Sequence, residues 1–405
     1  MAKRTHPDTA RDILYAIPAD PKKETIPLAA ALGRVFAEEI AATIPIPPFD
    51  RSPWDGYALR SADVLMATRE KPVTLKITEE LPAGVAPTIT LTPGFAAKIL
   101  TGAPMPLGAD CTVKYENTEF TNTEVKIFEP VASGKDMILA GDDVPLGTII
   151  ARCGEVATSA HMGLVASVGI AEVSVFRQPR AAIISTGAEL VEPGNPLPAA
   201  KIYNSSVYTL AGYLREMGVE TLNFGVAKDS LDEIAERIKA ALEVADIVFT
   251  TGGASVGDYD FALRAFEKMG AELLFWRIAM KPGGAAAAAI VDGKPVLALP
   301  GNPGAAITVL LRCVLPLIRK LCGQSDCFRE PVEVYLKSQF DKLSERAVRL
   351  LRGRLEIMGG KAYFVECGPQ GGGDISSLAG ADLLAEIEPA SLPLPAGALV
   401  KAWRV

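Results

Sequence analysis

Histidine is scarce in this sequence, and its scarcity limits the chemistry available to the protein. Only His6 and His161 occur among the 405 residues. His161 lies in the apolar segment ATSAHMGLVASVG, which is typical of a packed core or interface histidine, and His6 lies in a predicted disordered tail. The sequence therefore argues against a multi-histidine metal site and against a Ser-His-Asp hydrolase. Any chemistry has to use carboxylates, hydroxyls, lysine, arginine and backbone amides.

Cysteine pairs and long apolar runs are also lacking. The six cysteines include no CxxC pair, which argues against a zinc ribbon and against a disulfide framework. No apolar run reaches membrane-spanning length without glycine, proline or charge, and the first residues lack the apolar core of a signal peptide. We therefore expect a cytoplasmic protein that does not enter a membrane.

An excess of basic residues is absent as well. Lysine and arginine number 41 against 48 aspartates and glutamates, which gives a formal charge of −7. Because nucleic-acid binding proteins usually carry a basic surface, no nucleic-acid partner is expected. A local basic pocket for an anion is still compatible with this charge.

The stretch ADIVFTTGGASVG at residues 245–257 is the centre of the functional interpretation. An apolar run rich in β-branched and aromatic residues, Ile247 to Phe249, leads directly into two threonines and the Gly252-Gly253 pair. This pattern predicts a buried parallel strand that ends in a glycine turn, where a ligand could approach the backbone closely. A tight connection between strand and helix explains the same residues equally well.

From residue 180 onward, strand and helix patterns alternate with short loops. Such repeats predict a mainly parallel sheet covered by helices on both faces, which we assign to residues 179–323. The predicted strand ends at residues 186–189, Asp229, residues 251–253 and residues 300–302 should then share one edge of the sheet. Glycine turns and a helix N-terminus at that edge would offer N–H groups to a phosphate.

The remaining residues predict three further domains. Residues 1–45 with 141–178 form an N-terminal helical and linker domain, with helices expected in residues 8–18 and 27–40. Residues 46–140 alternate in the β manner and predict a small, mostly antiparallel inserted domain. Residues 324–405 predict a C-terminal β-barrel or sandwich. The predicted fold class is therefore α/β multidomain.

Two loop segments carry an unusual number of carboxylates. In residues 44–63 four prolines hold the chain extended, and Asp50 and Asp55 lie on either side of Trp54. We interpret this segment as a binding loop, with a structural corner as the alternative. Asp142 and Asp143 lie in a glycine-bounded turn, for which a solvated hairpin tip is the simpler explanation.

Seven motifs together indicate a family. They are PPFDRSPWDGYALR at 47–60, TGAPMPLGAD at 101–110, GDDVPLG at 141–147, STGAEL at 185–190, TTGGASVGDYDF at 250–261, MKPGG at 280–284 and LALPGNPGAA at 297–306. In their order and spacing the chain resembles the MoeA and gephyrin E-domain family of molybdopterin molybdenumtransferases over nearly its whole length.

The resemblance implies a homodimer of four-domain subunits. It implies a cleft between the doubly wound, molybdopterin-binding domain of one subunit and the inserted β domain of the other. The implied reaction is the insertion of molybdate into adenylylated molybdopterin, with Mg²⁺-dependent hydrolysis that releases AMP and molybdenum cofactor. A molybdopterin adenylyltransferase and apo-molybdoenzymes are the partners implied.

The resemblance also assigns roles to individual residues. Asp55, Thr101 and Lys281 join Glu189, Asp229 and Asp260 as catalytic candidates, and Asp143, Glu189, Asp229 and Asp260 are the candidate Mg²⁺ ligands. Gly252, Gly253, Ser255 and Gly257 would cradle the pterin phosphate, and Pro300, Gly301, Asn302 and Pro303 would form the neighbouring wall. Lys281, Arg277 and Arg352 are the basic residues expected near a tetraoxo dianion.

Three positions depart from the family's pattern. Gly284 replaces a lysine of KPGKP, Gly372 replaces a serine, and Ser206 stands where asparagine is expected. The departures keep two alternatives open: a paralogue that prefers another anion such as tungstate, and a non-catalytic molybdopterin-binding or scaffolding protein. A molybdopterin adenylyltransferase is a further alternative, but the segment from Asp55 to Ala140 and the C-terminal domain argue against it.

Overall fold

The computed structural model describes residues 4–228, 230–252, 261–342, 344–390 and 392–405. Its N-terminal part and the segment that returns to it from the inserted sheet contain two helices and short strands. These are α1 (Pro7–Ala16), β1 (Lys23–Pro27), β2 (Ile40–Ala41), β9 (Ile149–Ala151), α2 (Ser159–Ser167) and β10 (Glu172–Phe176). β1 pairs with β10 and β2 pairs with β9, both antiparallel, so these paired strands join the two segments into one unit.

The prediction of a second N-terminal helix in residues 27–40 is wrong. Its helical part is limited to a single 3₁₀ turn, Leu28–Ala30. Gly33 has a positive φ of 76°, which ends any helix there, and Val35 and Phe36 form antiparallel bridges with Val156 and Val175. Val35 and Phe36 are instead buried in extended chain, Phe36 against β10, whereas Leu32 is exposed.

The inserted sheet consists of six strands. They are β3 (Gly56–Leu59), β4 (Val73–Leu81), β5 (Phe95–Ile99), β6 (Cys111–Lys114), β7 (Thr118–Phe120) and β8 (Glu124–Ile127), in the order β6-β3-β5-β4-β8-β7. Only the β4–β5 pair is parallel, so the predicted antiparallel character is confirmed for the described sheet.

The α/β region follows in chain order. Its elements are β11 (Arg180–Thr186), β12 (Leu190–Val191), β13 (Ile202–Tyr203), α3 (Ser205–Glu216), β14 (Glu220–Ala227), α4 (Leu231–Val244), β15 (Ile247–Thr251), α5 (Phe261–Lys268), β16 (Glu272–Trp276), β17 (Met280–Lys281), β18 (Ala287–Val291), β19 (Lys294–Leu299), α6 (Pro303–Val309) and α7 (Leu315–Leu321). One π-helical turn, Leu310–Val314, connects α6 to α7.

The central sheet has the order β14-β11-β15-β19-β18-β16, and its first four strands are parallel. Side chains alternate between two cores: Ile183 and Phe249 pack with α3, α6 and α7, whereas Ile184 and Val248 pack with α4 and α5. Helices therefore cover both faces, which confirms the doubly wound arrangement. The chain passes from β11 to β14 on one side and then to β15 on the other, so a ligand crevice is expected between the ends of β11 and β15.

The C-terminal strands close into a barrel. The elements are β20 (Val332–Leu336), β21 (Val348–Met358), β22 (Lys361–Glu366), α8 (Ser376–Ala379), β23 (Leu383–Ile387) and β24 (Leu399–Arg404). β21 pairs with both β22 and β23, and β20 and β24 complete the ring of five strands. β17 pairs in parallel with β21 and so connects this barrel to the α/β region. Within the described residues, we find no helix with the length and apolarity needed to cross a membrane.

Candidate active site: two clefts that share one turn

The first cleft lies at the carboxyl ends of the parallel strands, and we call it the strand-end cleft. It has a volume of about 680 Å³, within the usual range for small-molecule sites. Its lining includes Thr186, Gly187, Glu189, Ser205, Ser206, Thr251, Gly252, Pro300, Gly301, Asn302 and Pro303. The predicted convergence of strand ends at residues 186–189, 251–252 and 300–302 is therefore present in the structure.

Two glycines bring the loops of this cleft into close contact. Gly252 has a φ of +92°, and a Cβ atom there would lie 2.4 Å from the carbonyl oxygen of Thr186. A Cβ atom at Gly301 would lie 3.2 Å from the Cα atom of Gly252. Neither position can take a side chain without displacing the neighbouring backbone. The floor of the cleft is thus formed by main chain, which suits a phosphate that binds to N–H groups.

The first turn of α3 forms another wall. Ser205 and Ser206 line the cleft directly after the helix cap Asn204. The Ser206 hydroxyl donates a hydrogen bond of 2.8 Å to the carbonyl oxygen of Gly301, which connects α3 to the turn at residues 300–302. Ser206, which departs from the expected asparagine, therefore makes a structural contact at this site. First-turn N–H groups of a twelve-residue helix also favour an anion.

Glu189 is the one carboxylate of the predicted metal set that the described residues place in this cleft. Its side chain forms no hydrogen bond or ion pair within the described part of the chain. A carboxylate oxygen at this position fits the ligand preference of Mg²⁺, which commonly takes one or two carboxylates together with substrate phosphates. Among the described residues no group of three metal-ligating side chains occurs, so a metal here would depend on further ligands.

The second cleft, which we call the basic cleft, adjoins the first. Its volume is about 640 Å³, and Ala285, Pro300 and Asn302 line both clefts. The residues that complete the basic cleft are Lys281, Pro282, Gly283, Gly284, Ala305, Lys342, Arg349, Gln370, Gly371 and Gly372. Three cationic side chains, Lys281, Lys342 and Arg349, therefore lie beside the turn at residues 300–302.

Arg349, Lys342 and Gln370 were missed in the sequence-based prediction. Arg349 lies opposite Lys281 in the parallel register of β17 and β21. No sequence pattern indicates this pairing, because it joins an isolated two-residue strand to a distant domain. The sequence indicated Arg349 only indirectly, because it lies three residues before Arg352, which the family resemblance had identified.

Arg352 is buried behind the basic cleft rather than among the residues that line it. Its Nη2 donates a hydrogen bond of 2.7 Å to the carbonyl oxygen of Gly371, while Nε and Nη1 have no partner in the described residues. Burial lowers the pKa of Arg352, and Asp374 and Tyr213 partly oppose that effect. Gly304 accommodates the guanidinium, because a Cβ atom there would lie 2.1 Å from Nη1.

Arg277 also lies outside the linings of both clefts. It has a positive φ of 69°, and its guanidinium carbon lies 4.4 Å from the centroid of the Trp276 ring. Its backbone N–H donates to Ala286 and its carbonyl accepts from Thr5, so this residue anchors the chain between β16 and β17.

Asp55 and Thr101 lie together in the inserted sheet. The carboxylate of Asp55 accepts hydrogen bonds of 2.8 Å from both the N–H and the hydroxyl of Thr101. These two bonds lower the pKa of Asp55. Neither residue lines the two clefts formed within one chain.

The other predicted residues have mixed outcomes. Asp143 is exposed in a turn whose backbone N–H donates to Ile46, away from the residues that line either cleft. Asp229, Gly253, Ser255, Gly257 and Asp260 lie outside the described residues. Their predicted roles stay predictions.

Family models identify the class of protein to which these domains belong. Residues 5–169 match the MoeA N-terminal region, domains I and II, and residues 182–320 match a "probable molybdopterin binding domain". The class is thus a MoeA-like multidomain protein with a molybdopterin-binding type of α/β domain.

Curated relatives and solved structures agree over nearly the whole chain. A molybdopterin molybdenumtransferase of Staphylococcus aureus is 32% identical over 92% of this chain and 89% of its own length. One from Nostoc is 36% identical over 93% of this chain and 88% of its own. A crystal structure of a MoeA protein from Pyrococcus horikoshii superposes with a TM-score of 0.84 at 32% identity, over 99% of this chain and 98% of that one. The chain belongs to the molybdopterin molybdenumtransferase family, whose members are transferases of molybdenum cofactor biosynthesis.

Proposed function

We propose that this protein inserts molybdate into adenylylated molybdopterin, with Mg²⁺-dependent release of AMP, in the cytoplasm. The observation that carries the proposal is the contact between the two clefts at the turn formed by residues 300–302. The main-chain floor of the strand-end cleft suits a ligand that contains phosphate, and the three cations of the basic cleft suit a dianion. A reaction that joins an oxyanion to a phosphorylated pterin needs the two to be held side by side.

In the strand-end cleft, main-chain N–H groups hold the phosphate of the pterin. Gly252 and Gly301 allow the phosphate to approach the backbone, and the first turn of α3 adds N–H groups without a partner inside the helix, together with the dipole of the helix. Glu189 lies at the rim, where its carboxylate would hold Mg²⁺ together with ligand oxygens. When bound, Mg²⁺ neutralises negative charge on the phosphoanhydride.

In the basic cleft, Lys281 provides positive charge for the incoming oxyanion. Its side chain is exposed to the cleft and forms no ion pair within the described residues. A cation that has no protein partner can neutralise a bound dianion without first breaking an existing ion pair. The oxyanion would then lie next to Asn302 and close to the pterin that fills the strand-end cleft.

The decisive experiment mixes purified protein with adenylylated molybdopterin, molybdate and Mg²⁺. AMP release is followed together with activation of an apo-molybdoenzyme. We expect AMP release that requires molybdate and yields active enzyme, and a Glu189→Gln variant should be slower by at least about tenfold. Tight binding of the pterin without either product would contradict the proposal and favour the scaffolding alternative.

The glycines at positions 284 and 372 favour one second candidate, a transferase with another anion preference. Both positions line the basic cleft and lack the side chains that the family's pattern predicts. The same assay with tungstate in place of molybdate distinguishes the two candidates. A higher kcat/KM for tungstate would support the altered preference.

A further inference from the structure

Position 284 in the basic cleft cannot carry a side chain in this backbone. A Cβ atom at Gly284 would lie 2.9 Å from the carbonyl oxygen of Met280 and 3.2 Å from that of Ile278. The carbonyl of Gly284 also accepts a hydrogen bond of 3.1 Å from the N–H of Ile278, which closes this turn. The cleft must therefore obtain its positive charge from other positions.

Arg349 is the best placed of these other residues. It is 8% exposed, it lines the basic cleft, and its guanidinium forms no hydrogen bond or ion pair with any described residue. Its buried Nε atom is without a partner. A buried guanidinium nitrogen without an acceptor is unfavourable, and an anion in the cleft would provide acceptors to this group.

The strand geometry explains why Arg349 and Arg352 differ. Residues three apart on a strand point to opposite faces. Arg349 shares its face with Leu351, which lies in the barrel core, whereas Arg352 shares its face with Leu350, which packs against the α/β region. Arg349 therefore lies at the end of the barrel that opens into the basic cleft, with its guanidinium carbon 6.0 Å from the Phe340 ring centroid.

The charged groups around Arg349 are Lys281, Lys342 and Glu366. Lys281 is its cross-strand neighbour and Lys342 lines the same cleft. Glu366 is the carboxylate that acts on Arg349, but it forms no ion pair within 4 Å of the arginine in the described residues. Burial raises the pKa of Glu366, and the positive charges of Lys342 and Arg349 oppose that effect. Lys281, Lys342 and Arg349 thus place three cations beside Glu366, and Asp341 is a further carboxylate that acts on Glu366.

We propose that Arg349, assisted by Lys342, binds the tetrahedral dianion in the basic cleft and so provides the cationic contact that Gly284 cannot provide. This inference deepens the proposed function and rests on it for the identity of the anion, molybdate. The planar guanidinium can donate two parallel hydrogen bonds to two oxygens of such an anion. Lys281 and Lys342 then contribute charge from the two sides.

The test uses the full-length protein and variants that remove single cations. Arg349→Met removes the proposed donor, Arg349→Lys keeps its charge, and Lys342→Met removes an exposed cation whose loss leaves the core intact. Arg354→Met is the matched control, because Arg354 lies on the same strand but is exposed and pairs with Glu356. Molybdate binding is measured by equilibrium dialysis without the pterin, and KM for molybdate is measured separately by AMP release. Urea unfolding verifies that each variant is folded.

We expect Arg349→Met to weaken molybdate binding by about 10- to 100-fold, the usual effect of losing a charge-assisted hydrogen bond. Arg349→Lys should recover part of the affinity, Lys342→Met should weaken binding several-fold, and Arg354→Met should match the wild type. Equal affinity of the wild type and the Arg349→Met and Lys342→Met variants would overturn the inference. Sulfate, a tetrahedral dianion of the same charge, that binds to Arg349→Met as tightly as to the wild type would also contradict it.

The outcomes for the two proposals are separable. If the wild type turns over and the Arg349→Met variant has an unchanged KM for molybdate, the role of Arg349 is refuted and the transferase proposal stands. Molybdate binding that depends on Arg349, without any AMP release by the wild type, refutes the transferase and keeps the anion site. A wild-type protein that binds no molybdate in either assay refutes the role of Arg349.

Discussion

Gly252 controls the geometry of the strand-end cleft, because its conformation and its surroundings both exclude a side chain. Gly252→Ala would place a Cβ atom 2.4 Å from the carbonyl oxygen of Thr186 at a φ of +92°. Gly293→Ala is a matched control, since Gly293 has a φ of +76° with nothing within 4 Å of its Cβ position. We expect Gly293→Ala to cost about 1–2 kcal/mol in unfolding free energy and Gly252→Ala to cost more. Urea unfolding measures both, and equal losses would contradict the steric explanation.

The two departures from the family's pattern in the basic cleft should respond differently to added side chains. At Gly372 the nearest atom to a new Cβ is the Cβ of Ala305 at 3.4 Å, an ordinary contact. We therefore expect Gly372→Ser to change the unfolding free energy by less than about 0.5 kcal/mol, whereas Gly284→Ala should be clearly destabilising. Thermal and urea unfolding of both variants provide the measurement. A stable Gly284→Ala variant would show that this turn adapts.

At the residue scale, the sequence predicted which motifs meet at the ends of the parallel strands. Glu189, Gly252 and residues 300–303 reach the same cleft because the ends of parallel strands meet at one edge of a sheet. Arg349 was missed because its cross-strand partner, Lys281, belongs to another sequence region. Arg352 was recognised, but its burial behind the Gly371 loop depends on which face of β21 it occupies.

At the scale of elements, one ion cluster connects the first helix to the last domain. Arg312, on the π-helical turn, is 3% exposed and pairs with Glu386 on β23 and with Asp8 on α1. Trp403 also donates a hydrogen bond of 3.1 Å from Nε1 to the carboxylate of Glu386. The position of α1 in the core of the α/β region is thus reinforced by charge as well as by apolar contacts.

This cluster predicts how stability depends on pH. Partial burial acts to raise the pKa of Asp8, but the hydrogen bond and charge of Arg312 outweigh it and hold that pKa below its usual 3.8. A carboxyl whose pKa is lowered by folding stabilises the protein above the pKa of the unfolded chain, and this contribution disappears as pH falls through the folded pKa. Between about pH 4 and 2, the wild type should lose unfolding free energy more steeply than Asp8→Asn. Asp20→Asn, at an exposed position, is the control, and parallel curves for all three proteins would contradict the prediction.

The sequence pattern predicted the elements well in the α/β sheet, where helices cover both faces, and failed where extended chain is buried by other strands. The strands of the α/β sheet show apolar runs bounded by turns, and each predicted run within the described residues contains a strand, but the run at 272–280 divides into β16 and β17, and β17 joins the barrel sheet. The predicted helix in residues 27–40 does not form, because Val35 and Phe36 are buried in extended chain that forms β-bridges with distant residues. Helical spacing of apolar residues does not reveal such non-local pairing.

At the scale of the whole molecule, the two halves of the predicted site do not meet within the described part of one chain. Asp55 and Thr101 hydrogen-bond to each other in the inserted sheet, whereas Glu189 lines the strand-end cleft. The motifs predict both groups, but only the family resemblance implies that a second subunit completes the cleft. We propose that a homodimer brings Asp55 of one subunit to the strand-end cleft of the other.

Complementation between two impaired variants tests this arrangement. Asp55→Asn and Glu189→Gln are produced separately and together, with different affinity tags so that mixed dimers can be isolated. If each site combines Asp55 of one subunit with Glu189 of the other, a mixed dimer has one intact site and one site with both substitutions. A random mixture should then regain about a quarter of wild-type AMP release, and isolated mixed dimers about half. If both residues acted within one chain, every site would carry a substitution and mixing would restore nothing. Size-exclusion chromatography of each variant ensures that loss of activity does not result from loss of the dimer.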